Sequence, residues 1–215
     1  MKCDKNWMLL YAVTDRAWTG KMSLYEQVEA ALKNGVTCVQ LREKELDEET
    51  FLKEAMEIGR LCREYHVPFI INDNVEIAVK CGADGIHVGQ EDMVASDVRS
   101  RVGDSMIIGV SAHTVEEAVE AVKNGADYLG LGSVFNTSTK LDVDNMSAEM
   151  LRAICDAVDV PTVAIGGISE KNIMQLQGSG VDGVAVVSAI FAAEDPGKAA
   201  AGLLALAKEM VEGNE

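Results

Sequence analysis

Short β-branched runs recur eight times along the chain, separated by longer amphipathic segments, and this alternation narrows the fold more than any other feature. The runs are Leu9–Thr14, Thr37–Leu41, Pro68–Ile71, Gly85–Val88, Ile107–Val110, Tyr128–Leu131, Thr162–Ile165 and Gly183–Val187. Between them apolar residues stand three or four apart, as in Leu24, Val28, Ala31 and Leu32, the spacing of one helix face. Strands alternating with helices imply a parallel sheet, because parallel neighbours need a crossover. Runs so rich in Val, Ile and Leu imply burial on both faces. A closed barrel and a doubly wound open sheet both meet that condition.

Two features favour the α/β class in its (β/α)₈ form. One is the count of eight. The other is an internal echo: Asn34-Gly35-Val36-Thr37, Cys81-Gly82-Ala83-Asp84, Asn124-Gly125-Ala126-Asp127 and Ser179-Gly180-Val181-Asp182. Each is a glycine helix cap leading into a strand, and together they recur about every two strand–helix units, as in a barrel built from quarter turns. Good loop chemistry alone would give the same tetrapeptides. No linker or low-complexity stretch interrupts residues 1–215, which read as one domain.

Composition excludes several classes. The formal charge is −16, from 19 basic and 35 acidic side chains, a field that disfavours nucleic acid and anionic membranes as partners. No apolar run approaches the roughly 20 residues of a membrane span. The N-terminus lacks a signal-peptide pattern, so a cytoplasmic location is expected. Five scattered cysteines with no Cys-x-x-Cys spacing read as reduced packing residues rather than disulfides or zinc ligands.

In a barrel, polar residues just after the strands face the active-site mouth, and nearly every run here is followed by such a cluster. Gln40, Arg42 and Lys44 alternate after the second run, which places them on one side of the chain. Arg suits bidentate phosphate binding and Lys a point contact; the plainer alternative is a surface pair salted to Glu43 and Glu45. Asn72-Asp73 follows the third run and Asp92 the fourth. Two carboxylates facing phosphates suit Mg²⁺, yet Asp73 and Asp92 would serve equally as helix caps. Ser111 and His113 follow the fifth run, with His113 better suited to positioning than to catalysis. His66 and His87 are set aside, His87 because alternation points it away from the Asp92 loop. Thr137-Ser138-Thr139-Lys140 forms the longest rim segment, a candidate lid. Gly166-Gly167, Val187 and Ser188 occupy the seventh and eighth loops, where barrels commonly hold a phosphate.

In this order the clusters resemble the thiamine-phosphate synthase family. The matching stretches include Tyr11-Ala12-Val13-Thr14-Asp15, Gln40-Leu41-Arg42-Glu43-Lys44, Ile71-Asn72-Asp73, His87-Val88-Gly89-Gln90-Glu91-Asp92, Gly109-Val110-Ser111-Ala112-His113, the Thr137–Lys140 segment, Ala164-Ile165-Gly166-Gly167-Ile168 and Val187-Ser188. The resemblance implies a transferase that joins hydroxymethylpyrimidine diphosphate to a thiazole phosphate, or to its carboxylated form, with release of diphosphate. It assigns Gln40, Arg42, Lys44, Asn72, Ser111 and Lys140 to the pyrimidine diphosphate, with Arg42, Lys44, Ser111 and Lys140 acting in catalysis. Asp73 and Asp92 would hold Mg²⁺. Thr137, Thr139, Gly167, Val187 and Ser188 would bind the thiazole phosphate, and Ser138 counts among the substrate-binding residues.

Ser133 and Asn136 depart from the family pattern, standing where prolines are common, and imply a looser sixth loop. Two rivals remain: a thiazole tautomerase of the same fold, which typically has His at the position of Ser133, and a non-catalytic thiamine-phosphate-binding regulator. Oligomeric state is left open by the sequence.

Overall fold

The computed structural model describes residues 3–89, 95–136 and 145–214. Eight parallel strands close into a barrel in chain order: β1 (Leu10–Val13), β2 (Cys38–Leu41), β3 (Phe69–Asn72), β4 (Gly85–Val88), β5 (Ile107–Ala112), β6 (Tyr128–Leu131), β7 (Thr162–Ile165) and β8 (Gly183–Val186). Strand β8 returns to β1 through the pairs Leu10–Val184, Tyr11–Ala185 and Ala12–Val186. The expected strand boundaries hold within a residue or two. Strand β5 runs on through Ser111 and Ala112 because Gly130 and Leu131 of β6 still stand opposite them. Asn72 likewise ends β3 rather than following it.

The connections carry α1 (Leu24–Lys33), α2 (Glu48–Glu64), α3 (Val75–Cys81), α4 (Ala95–Val102), α5 (Val115–Lys123) and α6 (Ala148–Ala157). Between β7 and β8 a 3₁₀ turn, Ile173–Leu176, stands in for a helix; after β8 come the short α7 (Ser188–Phe191) and the long α8 (Pro196–Glu212). Local chemistry starts these helices. Ser23 and Glu26 form a reciprocal capping box on α1, and Asp47, Asn74, Thr114, Ser147 and Asp195 each accept a backbone N–H at the start of their helix, satisfying donors that a helix leaves orphaned.

Strand alternation splits the apolar side chains into two cores. Ile71, Leu129 and Val184 face outward and pack with Val28, Ile58, Ile77 and Leu203 of the helices. Tyr11, Val13, Cys38, Ile70, Ile107, Tyr128, Val163 and Ala185 fill the barrel itself, with Met8 of the 3₁₀ turn Lys5–Met8 sealing its N-terminal end. The five cysteines are free thiols. Among the described residues no helix is long and apolar enough to cross a membrane.

The echo in the sequence has a structural counterpart. Thr37 Oγ1 accepts the N–H of Leu10, Asp84 Oδ2 that of Phe69, Asp127 Oδ2 that of Ile108 and Asp182 Oδ2 that of Thr162, at 2.8–2.9 Å. In each case the backbone N–H of the Thr or Asp returns a bond to the carbonyl of the same partner. The clip joins β1 to β2, β3 to β4, β5 to β6 and β7 to β8. The tetrapeptides are therefore a quarter-barrel device that sets the register of strand pairs.

Candidate active site

A cleft opens at the C-terminal ends of the strands. It is lined by Tyr11, Gln40, Arg42, Asn72, His87, Ser111 and His113 on one arc, and by Ser133, Gly166, Gly167, Val187 and Ser188 on another. Seven residues expected from the sequence thus meet in one place: Gln40, Arg42, Asn72, Ser111, Gly167, Val187 and Ser188. Asp92, Thr137, Ser138, Thr139 and Lys140 lie outside the described residues.

The basic cluster is arranged differently from a simple strand face. Gln40 points inward from β2, whereas Arg42 lies beyond the strand end, its N–H bonded to Thr14 Oγ1. Lys44 turns into an adjoining shallow cleft that it shares with Arg42, Glu43, Glu45 and Asp15. Lys44 Nζ donates to Asp73 Oδ2. Glu43 does not pair with the Arg42 or Lys44 side chains. It accepts from Arg16 Nε and from the backbone N–H groups of Lys44 and Glu45. Burial opposes its ionised form, but those three hydrogen bonds and the Arg16 charge outweigh it and hold the carboxyl below the ordinary glutamate range. Arg16 also reaches Glu54 of α2, so Glu43 is a brace for the turn that presents Arg42 and Lys44.

Asp73 is not a helix cap. That role falls to Asn74, whose side chain accepts the Ile77 N–H. Asp73 instead adopts a left-handed backbone, φ 61°, which Asp tolerates better than most residues. Its N–H is tied to His87 O at 2.8 Å, and Oδ1 accepts from Asn72 Nδ2 at 2.7 Å. The carboxylate is thereby fixed at the rim beside Asn72 and Lys44.

The glycine pair serves the sixth loop directly. Val134 and Phe135 donate their N–H groups to Ile165 O and Gly166 O, and a Cβ on Gly167 would stand 2.5 Å from Asn136 O. The described stem of that loop gains side-chain bonds where prolines are common. Ser133 Oγ donates to Phe135 O and Asn145 Nδ2 donates to Asn136 Oδ1, each at 2.9 Å, bonds that proline side chains could not make. His113 has its N–H and Nδ1 on Glu117, which suits the positioning role expected for it.

The sequence gives His87 no part in the site, and the structure corrects this by placing it in the cleft lining. Alternation along β4 sends Ile86 and Val88 to the helices and His87 into the barrel, against the cleft. Its Nδ1 meets Tyr128 OH at 2.9 Å and its Nε2 meets Ser111 Oγ at 3.0 Å. Tyr128 OH meets Tyr11 OH at 2.8 Å, and Gln40 Nε2 donates to Tyr11 OH at 2.8 Å. Two glycines make the room: a Cβ on Gly109 would collide with the Tyr128 ring, and one on Gly130 would stand 3.1 Å from His87 Cε1. Any of these polar groups buried without a partner would cost about 1–3 kcal/mol. Burial pushes both phenols well above the ordinary tyrosine range. The signal that could have found them was present: a Tyr on an inward barrel position must bring its hydroxyl a partner.

A model of the family described as thiamine monophosphate synthase matches residues 10–190. The chain is 47% identical to the thiamine-phosphate synthase of Clostridium acetobutylicum over 86% of this chain and 88% of that protein. It is 47% identical to that of Clostridioides difficile over 90% and 92%. Among solved structures it is similar to thiamine phosphate pyrophosphorylase from Pyrococcus furiosus, at 38% identity and a TM-score of 0.87, covering 96% of this chain and 98% of that one. 3-Hexulose-6-phosphate synthase, at 20% identity and a TM-score of 0.62 over 92% and 98%, shares the fold alone. The chain is therefore a transferase of the thiamine-phosphate synthase family.

Proposed function

We propose that the protein condenses hydroxymethylpyrimidine diphosphate with thiazole phosphate, or its carboxylated form, to give thiamine phosphate and diphosphate. The observation that carries this reading is the division of one cleft into two arcs: Gln40, Arg42, Asn72 and Ser111 on one, Gly167, Val187 and Ser188 on the other. Two anionic substrates need two anchoring regions within reach of a single reacting centre.

On the first arc Arg42 would bind diphosphate oxygens bidentately and Lys44 as a point charge, overcoming locally the repulsion of a chain with net charge −16. Gln40 and Asn72 would orient the pyrimidine ring. On the second arc, the backbone of Gly167 and the start of α7 at Val187 and Ser188 would hold the thiazole phosphate, fixing the thiazole nitrogen toward the methylene carbon. The diphosphate leaves as the aminopyrimidine ring delocalises the developing cation, and the thiazole nitrogen supplies the electron pair. No side chain is asked to act as nucleophile. Thr137, Ser138, Thr139 and Lys140 belong to the same proposal, with the threonines and Ser138 at the thiazole phosphate and Lys140 at the leaving group.

Asp73 fits a role toward Mg²⁺. A single carboxylate fixed at the rim is the oxygen donor this ion takes up together with substrate phosphates and water, and Asp92 is its proposed companion. Bound there, the ion would neutralise charge gathering on the departing diphosphate. Lys44 Nζ already donates to Asp73 Oδ2, so the ion would compete with Lys44 for this carboxylate and the diphosphate with Asp73 for the ammonium.

The test is thiamine phosphate formation from both substrates, with and without Mg²⁺, beside Asp92→Ala. Metal-dependent product that fails in the variant is expected. A folded protein that binds the thiazole and makes no product would refute the synthase and favour the tautomerase or the regulator. The bond from Ser133 Oγ to Phe135 O already gives that side chain a structural use.

A further inference from the structure

The hydrogen bonds inside the barrel connect Gln40 through Tyr11, Tyr128 and His87 to Ser111. Its polarity follows from its first member. The Gln40 amide nitrogen can only donate, and it faces Tyr11 OH. Tyr11, accepting there, gives its own hydrogen to Tyr128. Tyr128 passes its hydrogen to His87 Nδ1, which must then be the bare ring nitrogen, leaving the proton on Nε2. The opposite sense would leave Tyr11 only the Cys38 thiol opposite it on β2, a weak acceptor.

From this we infer that His87 is a positioning residue held as its neutral Nε2–H tautomer by Tyr128 and Tyr11, and that its Nε2–H bond turns Ser111 into a hydrogen donor toward an acceptor other than His87. Ser111 lies on the arc assigned to the diphosphate substrate, so the consequence for catalysis rests on the proposed function; the tautomer does not. Gly109 and Gly130, whose missing side chains accommodate the Tyr128 and His87 rings, mark the line as built into the barrel. Buried polar chains of this kind hold a single arrangement when every member is satisfied.

Nitrogen-15 spectra of histidine-labelled, substrate-free protein test the tautomer, with His87 assigned through His87→Gln. The expected result is a protonated Nε2 and a bare Nδ1 in the native protein, and a mixture of tautomers in Tyr128→Phe. A native spectrum with the proton on Nδ1, or a tautomer unmoved in a folded Tyr128→Phe, would overturn the inference. The native spectrum decides even where a variant does not fold. Kinetics test the consequence: Tyr128→Phe should lower kcat/KM about tenfold in the native background and less than about twofold beside Ser111→Ala, because linked residues are not additive. Equal losses in both backgrounds would overturn the action through Ser111. A protein with the Nε2–H spectrum that makes no thiamine phosphate would refute the proposed function and leave the tautomer standing.

Discussion

Lys44 Nζ donates to Asp73 Oδ2, joining two side chains that the proposed chemistry gives to different partners. In that proposal the lysine serves the diphosphate and the carboxylate Mg²⁺, so the pair competes with both. With Lys44 half exposed, the pair is a weak competitor for the ion. Lys44→Gln should therefore bind Mg²⁺ about two- to fivefold more tightly in the absence of substrate, while turning over more slowly. Asp73→Asn should lower kcat/KM about 100-fold. Calorimetric titration with Mg²⁺ beside steady-state kinetics separates the two; unchanged Mg²⁺ affinity in Lys44→Gln would remove the competition from the scheme.

Gly109 and Gly130 do different jobs, and alanine should expose the difference. A methyl at Gly109 would collide with the buried Tyr128 ring, whereas at Gly130 it would stand 3.1 Å from His87 Cε1, a conflict relieved by a small shift of the ring. Gly109→Ala should cost about 1–3 kcal/mol of stability, as overpacked cores do. Gly130→Ala should fold nearly as well yet lose about tenfold in kcat/KM through misplacement of His87. Denaturant midpoints and kinetics on both variants check this, and a fully stable Gly109→Ala would contradict the packing described.

The parts of this protein that were legible in its sequence are those with a short-range signal. Runs of β-branched residues marked the eight strands, and position at or just beyond a strand's C-terminal end marked Gln40, Arg42, Asn72, Ser111 and Gly167. The line through Tyr11, His87 and Tyr128 was not legible, because its members come from β1, β4 and β6 and meet only after the barrel closes. His87 was misjudged for the same reason: alternation gave its side, but only closure makes that side the interior facing the cleft. Asp73 and Asn74 were not separable as cap and non-cap, since both residue types cap well and the left-handed turn at Asp73 leaves no mark in the sequence.

The paired clips predict how stability is shared among the quarters. Asp84 Oδ2 accepts the Phe69 N–H at 2.9 Å at the N-terminal rim, far from the cleft. Asp84→Ala should strand that donor and cost about 1–3 kcal/mol, while Asp84→Asn keeps an acceptor oxygen and should cost less than half as much. Asp127→Ala should cost more than Asp84→Ala, because Asp127 also pairs with Arg99. Urea midpoints at constant slope would show this ranking with kcat/KM unchanged; an indifferent Asp84→Ala would mean the clip does not stabilise the register.

Alkaline pH should unfold the barrel from within. Burial pushes the Cys62 thiol up to about 12, and raises Cys38, Tyr11 and Tyr128 well above their ordinary ranges. For groups raised on folding, the protonated form is the one the native state favours. Their contribution is complete below the unfolded values, about 8.5 for Cys and 10 for Tyr, and is lost as pH rises toward the folded ones. Over that window each group removes about 1.4 kcal/mol of stability per pH unit. Denaturation midpoints should therefore fall steeply above about pH 9. In a phenolate titration, Tyr11 and Tyr128 should stay protonated until the transition and then ionise together with it. If all four tyrosines titrate reversibly at their ordinary pH with the fold intact, the buried line of hydroxyls is not as described.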